Sequence, residues 1–346
     1  MKMNGCNRFC KGAILVFIAL APCIQAVAQK SSAEKFKEVL RCTADFVDYV
    51  LNDVDTMFVE KNLYNLTFRP DYSYSYEHYN FTGKSQSLDI APKGINALTF
   101  NIGWRWLIVG YSIDLQKGRE LKEFNTSLYS ARFGLDLYYR KSSDGYRIKR
   151  LYNEGQQLPY TGNGENALTV KQIGAGLCYA FNKRFSYAAA YGQSTIQRVS
   201  AGSLILGAGY NRQAFTLNHE AFDPLVKTQP DDALWFRNIK FNDFNISAGY
   251  AYNWVFAKNL LAGVSFAPAI SYKRCETAYD ERGSVDGCIN MDFTTRAAVV
   301  YNNNRYYAGV SLESHTYGYK KSNLQITDGF GVLELYTGFN FWRRKK

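Results

Sequence analysis

From Phe244 onward every second residue is apolar or aromatic: Phe244, Ile246, Ala248, Tyr250, Tyr252, Trp254 and Phe256. Between them stand Asn245, Ser247, Gly249, Ala251, Asn253 and Val255. A period of two marks a strand with two unlike faces. Beyond Ala257-Lys258-Asn259 the alternation resumes, with Leu260, Ala262, Val264, Phe266, Pro268 and Ile270 on the apolar side and Gly263, Ser265, Ala267, Ala269 and Ser271 on the other. Each arm runs past a dozen residues with aromatics near the turn. That is longer than the short strands of a soluble sandwich and suits a hairpin crossing a bilayer, with aromatic rings at the interface.

The same period, broken by turn residues, predicts strands over 64–81, 86–102, 106–116, 123–140, 146–153, 167–181, 200–218, 240–256, 259–275, 288–301, 304–320 and 330–342. The pattern is poorest in 146–153, where Arg147, Lys149 and Arg150 interrupt it. The predicted fold is all-β: a transmembrane antiparallel up-and-down barrel of about 12 strands, preceded by an amphipathic helix. Outer-membrane barrels keep periplasmic turns short and let outer loops grow. That rule assigns 302–303, 257–259, 141–145 and 103–105 to the periplasm, and 154–166, 219–239, 276–287 and 321–329 to the outer face. Residues 182–199 are too long for a turn. They are either two further strands, making 14, or a periplasmic excursion, and the excursion preserves the short-turn rule. The last strand, with Leu333, Leu335, Thr337, Phe339 and Phe341 facing outward, ends in aromatics near the carboxyl terminus and resembles the recognition signal of the barrel assembly machinery.

The amino-terminal stretch has a different period. Lys2, Arg8 and Lys11 precede the apolar run 12–21, and Ala26-Val27-Ala28 offers small residues for cleavage before Gln29, the layout of a signal peptide over 1–28. Phe36, Val39, Leu40, Thr43, Phe46, Val47, Val50 and Leu51 then recur at three and four, predicting an amphipathic helix within a periplasmic segment 29–56. The helix is expected to cap the barrel rim or to dock a periplasmic partner. The barrel itself is placed at 57–342 and a basic tail at 343–346.

Composition supports the membrane reading. The chain has 27 Tyr, 23 Phe, 5 Trp and 27 Gly, yet after residue 28 no apolar run approaches the roughly 18 residues a spanning helix needs. Interleaved rather than segregated apolar residues give this balance in a barrel. The formal charge of +11 suits lipid phosphates and lipopolysaccharide, and no nucleic-acid partner is expected. Cys275 and Cys288, at the two mouths of one expected loop, are a candidate disulfide for an oxidising compartment. Three histidines and no CxxC argue against a metal site, and no nucleotide-binding loop occurs, so no cofactor is expected.

Placing the aromatic face in lipid turns the other face inward. The candidate lumen charges are Arg105, Asp114, Arg132, Asp136, Arg140, Asp292, Arg296, Glu313, His315 and Glu334. On the lipid side an Arg or Lys near mid-membrane costs about 2–4 kcal/mol, so their confinement to one face supports the register. These charges either line a polar pore or fill a narrow barrel as ion pairs, and the interior width of about twelve strands favours the filled form.

The segments DVDTMFVEKNLYNLTF (Asp53 to Phe68), GWRWLIVGYSIDL (Gly103 to Leu115), FNTSLYSARFGLDLYYRK (Phe124 to Lys141), AYGQSTIQRVSAGS (Ala190 to Ser203), GYAYNWVFAKN (Gly249 to Asn259) and VYNNNRYYAGVSL (Val300 to Leu312) resemble a domain-of-unknown-function family of Gram-negative outer-membrane β-barrels. The resemblance implies the fold and the cell outer membrane as location; it carries no activity to any position. The functional expectation is a narrow channel or transport-related surface protein that is not an enzyme. The alternatives are a solute-closed structural or partner-binding barrel, and a barrel hydrolase in which Glu313 orients His315.

Overall fold

The computed structural model describes residues 53–92, 94–104, 107–115, 121–142, 145–158, 167–221, 231–278, 283–321 and 324–343. The expected signal peptide and the expected amphipathic helix of 30–52 lie outside the described residues.

Twelve antiparallel strands close a ring. In chain order the strands are β1 (Val59–Lys61), β2 (Tyr64–Thr82), β3 (Gln86–Pro92), β4 (Ile95–Trp104), β5 (Leu107–Asp114) and β6 (Leu121–Tyr129). Next come β7 (Phe133–Ser142), β8 (Tyr146–Asn153), β9 (Gln156–Leu158), β10 (Leu168–Ala180), β11 (Thr195–Gln197) and β12 (Ala201–Leu217). The series ends with β13 (Asn238–Ala257), β14 (Leu260–Ala278), β15 (Gly283–Asn302), β16 (Tyr306–Lys321) and β17 (Leu324–Arg343). The ring uses β2, β4–β7, β10 and β12–β17, and closes where β17 pairs with β2 from Gln325 opposite Thr82 to Arg343 opposite Tyr64. Closure pairs the first ring strand with the last, as a sheet in lipid requires, because each unpaired backbone group there costs several kcal/mol.

Alternation sets the two faces as the sequence predicts. Phe244, Ile246, Tyr250, Tyr252, Trp254 and Phe256 are exposed on the outside of β13, whereas Asp243, Ala251 and Asn253 are buried inside. The turn after β13 is closed by Asn259 in the left-handed region (φ 65°), a conformation asparagine tolerates.

Several boundaries differ from the sequence reading. The expected strand 123–140 is two strands, β6 and β7, because Ser130 makes a turn without Gly, Pro or Asn: its amide donates to the Phe133 carbonyl (2.8 Å), and its hydroxyl accepts from the Phe133 amide (3.0 Å). The expected strand 146–153 exists as β8 but leaves the ring. It pairs with β3 and β9 beyond the outer end, where charged residues meet water and no lipid-facing pattern is required. The two differences cancel, so the ring count is twelve. It follows that 141–145 lies at the outer end, and the short periplasmic turn is 130–132. The expected strand 86–102 is broken into β3 and β4. Most of the expected outer loops 276–287 and 321–329 is strand, since β14–β15 and β16–β17 continue their ladders to Ala278–Gly283 and Lys321–Leu324.

Residues 182–199 are the excursion, folded back into the periplasmic end of the barrel. Ser186 caps a short helix, α1 (Tyr187–Tyr191), by accepting from the Ala189 amide (3.2 Å). Ala188, Ala189 and Ala190 are buried. A β-carbon on Gly263 would stand 2.7 Å from that of Ala190, so the helix rests on a barrel wall thinned by glycine. Asn253 donates to the Ser186 carbonyl (2.7 Å), Asn302 donates to the Gln193 side chain (3.1 Å), and Gln193 donates to the Tyr336 hydroxyl (3.2 Å). β11 pairs with β1, which ties this plug to the start of the barrel.

The opposite, outer mouth is filled by apolar side chains. Phe81, Phe215, Phe241 and Tyr319, projecting inward from four ring strands, meet Leu88 and Ile90 of β3, Tyr146 and Leu151 of β8, and Leu234 and Phe236 of the 231–237 loop. Each fully buried side chain of this kind contributes about 1.5–3 kcal/mol. Asp231 fastens the loop by accepting from the Ser85 amide (2.8 Å) and more weakly from that of Gln86 (3.4 Å). Burial raises the Asp231 pKa, but the amide donors of Ser85, Ala233 and Gln86 outweigh it and hold the carboxyl below its ordinary value.

Candidate functional site

Between plug and outer cap lies a chamber of about 520 Å³, within the size range of small-molecule sites. Its ionic lining comes from inward positions of six strands, β2, β5, β7, β15, β16 and β17. Arg296 on β15 donates to Asp136 of β7 (2.8 Å) and to Glu313 of β16 (2.6 Å), and also contacts the Tyr187 hydroxyl of the plug. Glu313 accepts as well from His315 Nε2 (2.7 Å), which leaves Nδ1 to accept from the Thr294 hydroxyl (3.2 Å). The imidazole stacks on Phe330 at 4.8 Å. Across the barrel Arg69 pairs with Asp71 (2.9 Å) and lies 3.7 Å from Glu334.

Above this layer, toward the apolar cap, Arg140 pairs with Glu77 (2.8 Å), and the Tyr79 and Tyr146 hydroxyls donate to the same carboxylate. Lys273 sits between Asp292 (2.8 Å) and Asp243 (3.2 Å), and Gln213 donates to Asp328 (2.8 Å). Placing such charges in a low-dielectric interior demands this pairing, because an isolated buried charge is far too costly.

Asp114, Asp136, Arg140, Asp292, Arg296, Glu313, His315 and Glu334 therefore stand on the chamber wall. Arg132 does not: it precedes β7 in the 130–132 turn, donates to the Ala180 and Phe181 carbonyls (both 3.1 Å) and packs over Tyr179 at the periplasmic rim. Arg105 lies outside the described residues. Cys275 and Cys288 are thiols, not a disulfide. The continuous ladder sets Asp286 opposite Cys275 and Lys273 opposite Cys288, so the two are offset by two positions, and Cys275 is packed in the apolar cap. Among the described residues no group of three or more His, Cys, Asp and Glu side chains has metal-holding geometry.

The candidate lumen set omitted Arg69, Asp71, Glu77, Asp243, Lys273 and Asp328. The signal was present: Arg69, Asp71 and Glu77 share the parity opposite to Tyr72, Tyr74 and Tyr76, which are exposed to lipid. Starting the last strand at 330 hid Asp328.

A closed twelve-strand ring with an aromatic outer belt, short turns at one end and ionic groups confined to the interior defines an outer-membrane β-barrel. No helix among the described residues is long and apolar enough to cross a membrane; the strands cross it. The chain belongs to the family described as domain of unknown function DUF4421, whose model matches residues 53–341. No curated protein matches it. Solved structures similar to it include the outer-membrane protease OmpT from Escherichia coli, 9% identical, with 83% of this chain and 100% of that one covered and a TM-score of 0.40. The translocator domain of the autotransporter NalP from Neisseria meningitidis is 10% identical, covering 86% and 96%, with a TM-score of 0.33. OprG from Pseudomonas aeruginosa is 10% identical, covering 82% and 98%, with a TM-score of 0.25. These are likenesses of fold and carry no activity to this chain. They do correct one expectation: outer-membrane barrels include a protease, so the reading of this chain as not an enzyme is withdrawn.

Proposed function

We infer that this outer-membrane barrel is closed to free solute flow and works as a binding chamber. The observation that carries the reading is the chamber of about 520 Å³ bounded by two closures of different chemistry. The floor is the hydrogen-bonded 182–199 plug; the ceiling is the aromatic layer around Phe215, Phe236 and Phe241. A barrel filled only for stability would leave no such space, and a narrow channel of the kind expected from the charge pattern would need a continuous polar path.

Planar-bilayer recording of the purified full chain is expected to show no steady conductance. A variant in which residues 183–198 are replaced by a short turn and the cap is loosened by Phe215→Ala and Phe236→Ala is expected to conduct, provided it keeps heat-modifiable migration. Steady conductance of the unaltered protein would overturn the proposal.

A further inference from the structure

The chamber's ion pairs are lopsided in what they show to a ligand. Its lining carries three guanidinium groups, Arg69, Arg140 and Arg296, against six carboxyl groups, Asp71, Asp114, Asp136, Asp292, Glu313 and Glu334. The cationic side chains are recessed, Arg296 being 7% and Arg69 12% exposed. Among their partners Asp71 is buried at 3%, but Asp136, Glu313 and Glu334 keep 22%, 35% and 32% of their surface. A ligand entering the space therefore meets carboxylate oxygens first, although the chain as a whole is basic.

Two independent features extend this beyond an acidic cluster. Asn211 lines the chamber, is 2% exposed, and neither its amide oxygen nor its amide nitrogen has a hydrogen-bond partner. Leaving such a group unsatisfied is unfavourable, and a polar ligand group relieves it. The rings around the chamber already receive cations from the protein itself: the Arg140 guanidinium lies 5.7 Å from the Phe330 ring, and the Lys273 ammonium 5.1 Å from that of Tyr317. Carboxylates beside aromatic faces are the recognition chemistry of organic ammonium groups.

We propose that the chamber binds a small organic cation, its ammonium group held by Glu313, Asp136 and Glu334 and its polar end meeting the Asn211 amide. The proposal rests on the closed-chamber reading. The lack of metal-holding geometry among the described residues favours an organic cation over a metal ion.

The test is thermal unfolding of the full-length barrel in detergent micelles with ethanolamine, choline or putrescine hydrochloride. Sodium chloride at matched ionic strength, sodium acetate and calcium chloride are the comparisons. At least one ammonium probe is expected to raise the unfolding temperature in a saturable way. Asn211→Ala and Glu334→Gln, each checked for heat-modifiable migration, are expected to weaken the apparent affinity about tenfold or more. Shifts no larger than those of matched sodium chloride would overturn the proposal, as would saturation by calcium alone or wild-type affinity in both variants. A conducting wild-type protein that still binds would remove only the closed-barrel reading; a non-conducting one that binds nothing would remove only this one.

Discussion

Gly249 shows how tightly single positions are constrained. An added β-carbon there would lie 2.1 Å from the Phe266 carbonyl oxygen, a backbone atom that cannot swing away. The ladder already skips this step, since Pro268 opposite Ala248 has no N–H to donate. Gly249→Ala is expected to destabilise the barrel by about 1–3 kcal/mol. Gly176→Ala, with nothing within 4 Å of its new atom, is expected to be near neutral. Urea midpoints of the refolded proteins read both, and an unchanged midpoint for Gly249→Ala would refute the packing argument. Asp231 gives a pH dependence with a definite sign. Its folded pKa is depressed, so its contribution to loop docking is complete above the ordinary carboxylate value and is lost as pH falls through the lower folded one. Limited proteolysis at the 231–237 loop is expected to be slow at neutral pH and to quicken only under acid conditions below that range. Asp231→Asn is expected to remove the pH dependence.

At the scale of elements, strand lengths divide the ring into strong and weak arcs. β13 is paired on both edges along most of its length, to Ala201–Thr216 on one side and Leu260–Ala278 on the other. β5 is paired to β4 throughout but to β6 at three positions. Tyr111 and Ile113 are exposed on its outer face, so the β6-facing edge above Val109 lies at lipid depth, where the polar chamber lined by Gly110 and Ser112 is the medium open to its backbone groups. Alternate amides between Gly110 and Ile113 are therefore expected to exchange with solvent at least about tenfold faster than those of central β13. Hydrogen exchange by NMR in micelles checks this, and equal protection in the two strands would show the seam to be closed.

For the barrel as a whole, the two closures, on the proposed reading, turn a ring of strands into a container. Their chemistry differs for a reason. The outer cap gathers apolar side chains where strands rise beyond the lipid and inward positions no longer face the chamber. The plug buries Phe185, Tyr187 and Ala188–Ala190 against the wall, and its Ser186 and Gln193 are tied to Asn253, Asn302 and Tyr336 of the ring strands. This is why a mixed-charge lumen was legible along the chain whereas its filling was not. Arg296 meets Asp136, and Gln193 meets Tyr336, across more than a hundred residues each. No local period announces such a meeting.

The sequence by itself determined the solvent of each face. Alternation is local, and the cost of a charge in lipid forces every strand to carry its own record of which side faces outward. The aromatic belt, the outer-membrane address and most of the chamber-facing charges followed from that one constraint; the count of twelve strands came out only because the split of 123–140 offset the departure of 146–153 from the ring. The tertiary structure alone decided which residues left the ring, that 182–199 turns inward as a plug, and that a chamber survives between plug and cap. Those outcomes depend on contacts across the barrel, where the fit of one side chain against another far along the chain, and not the period of either strand, sets the energy.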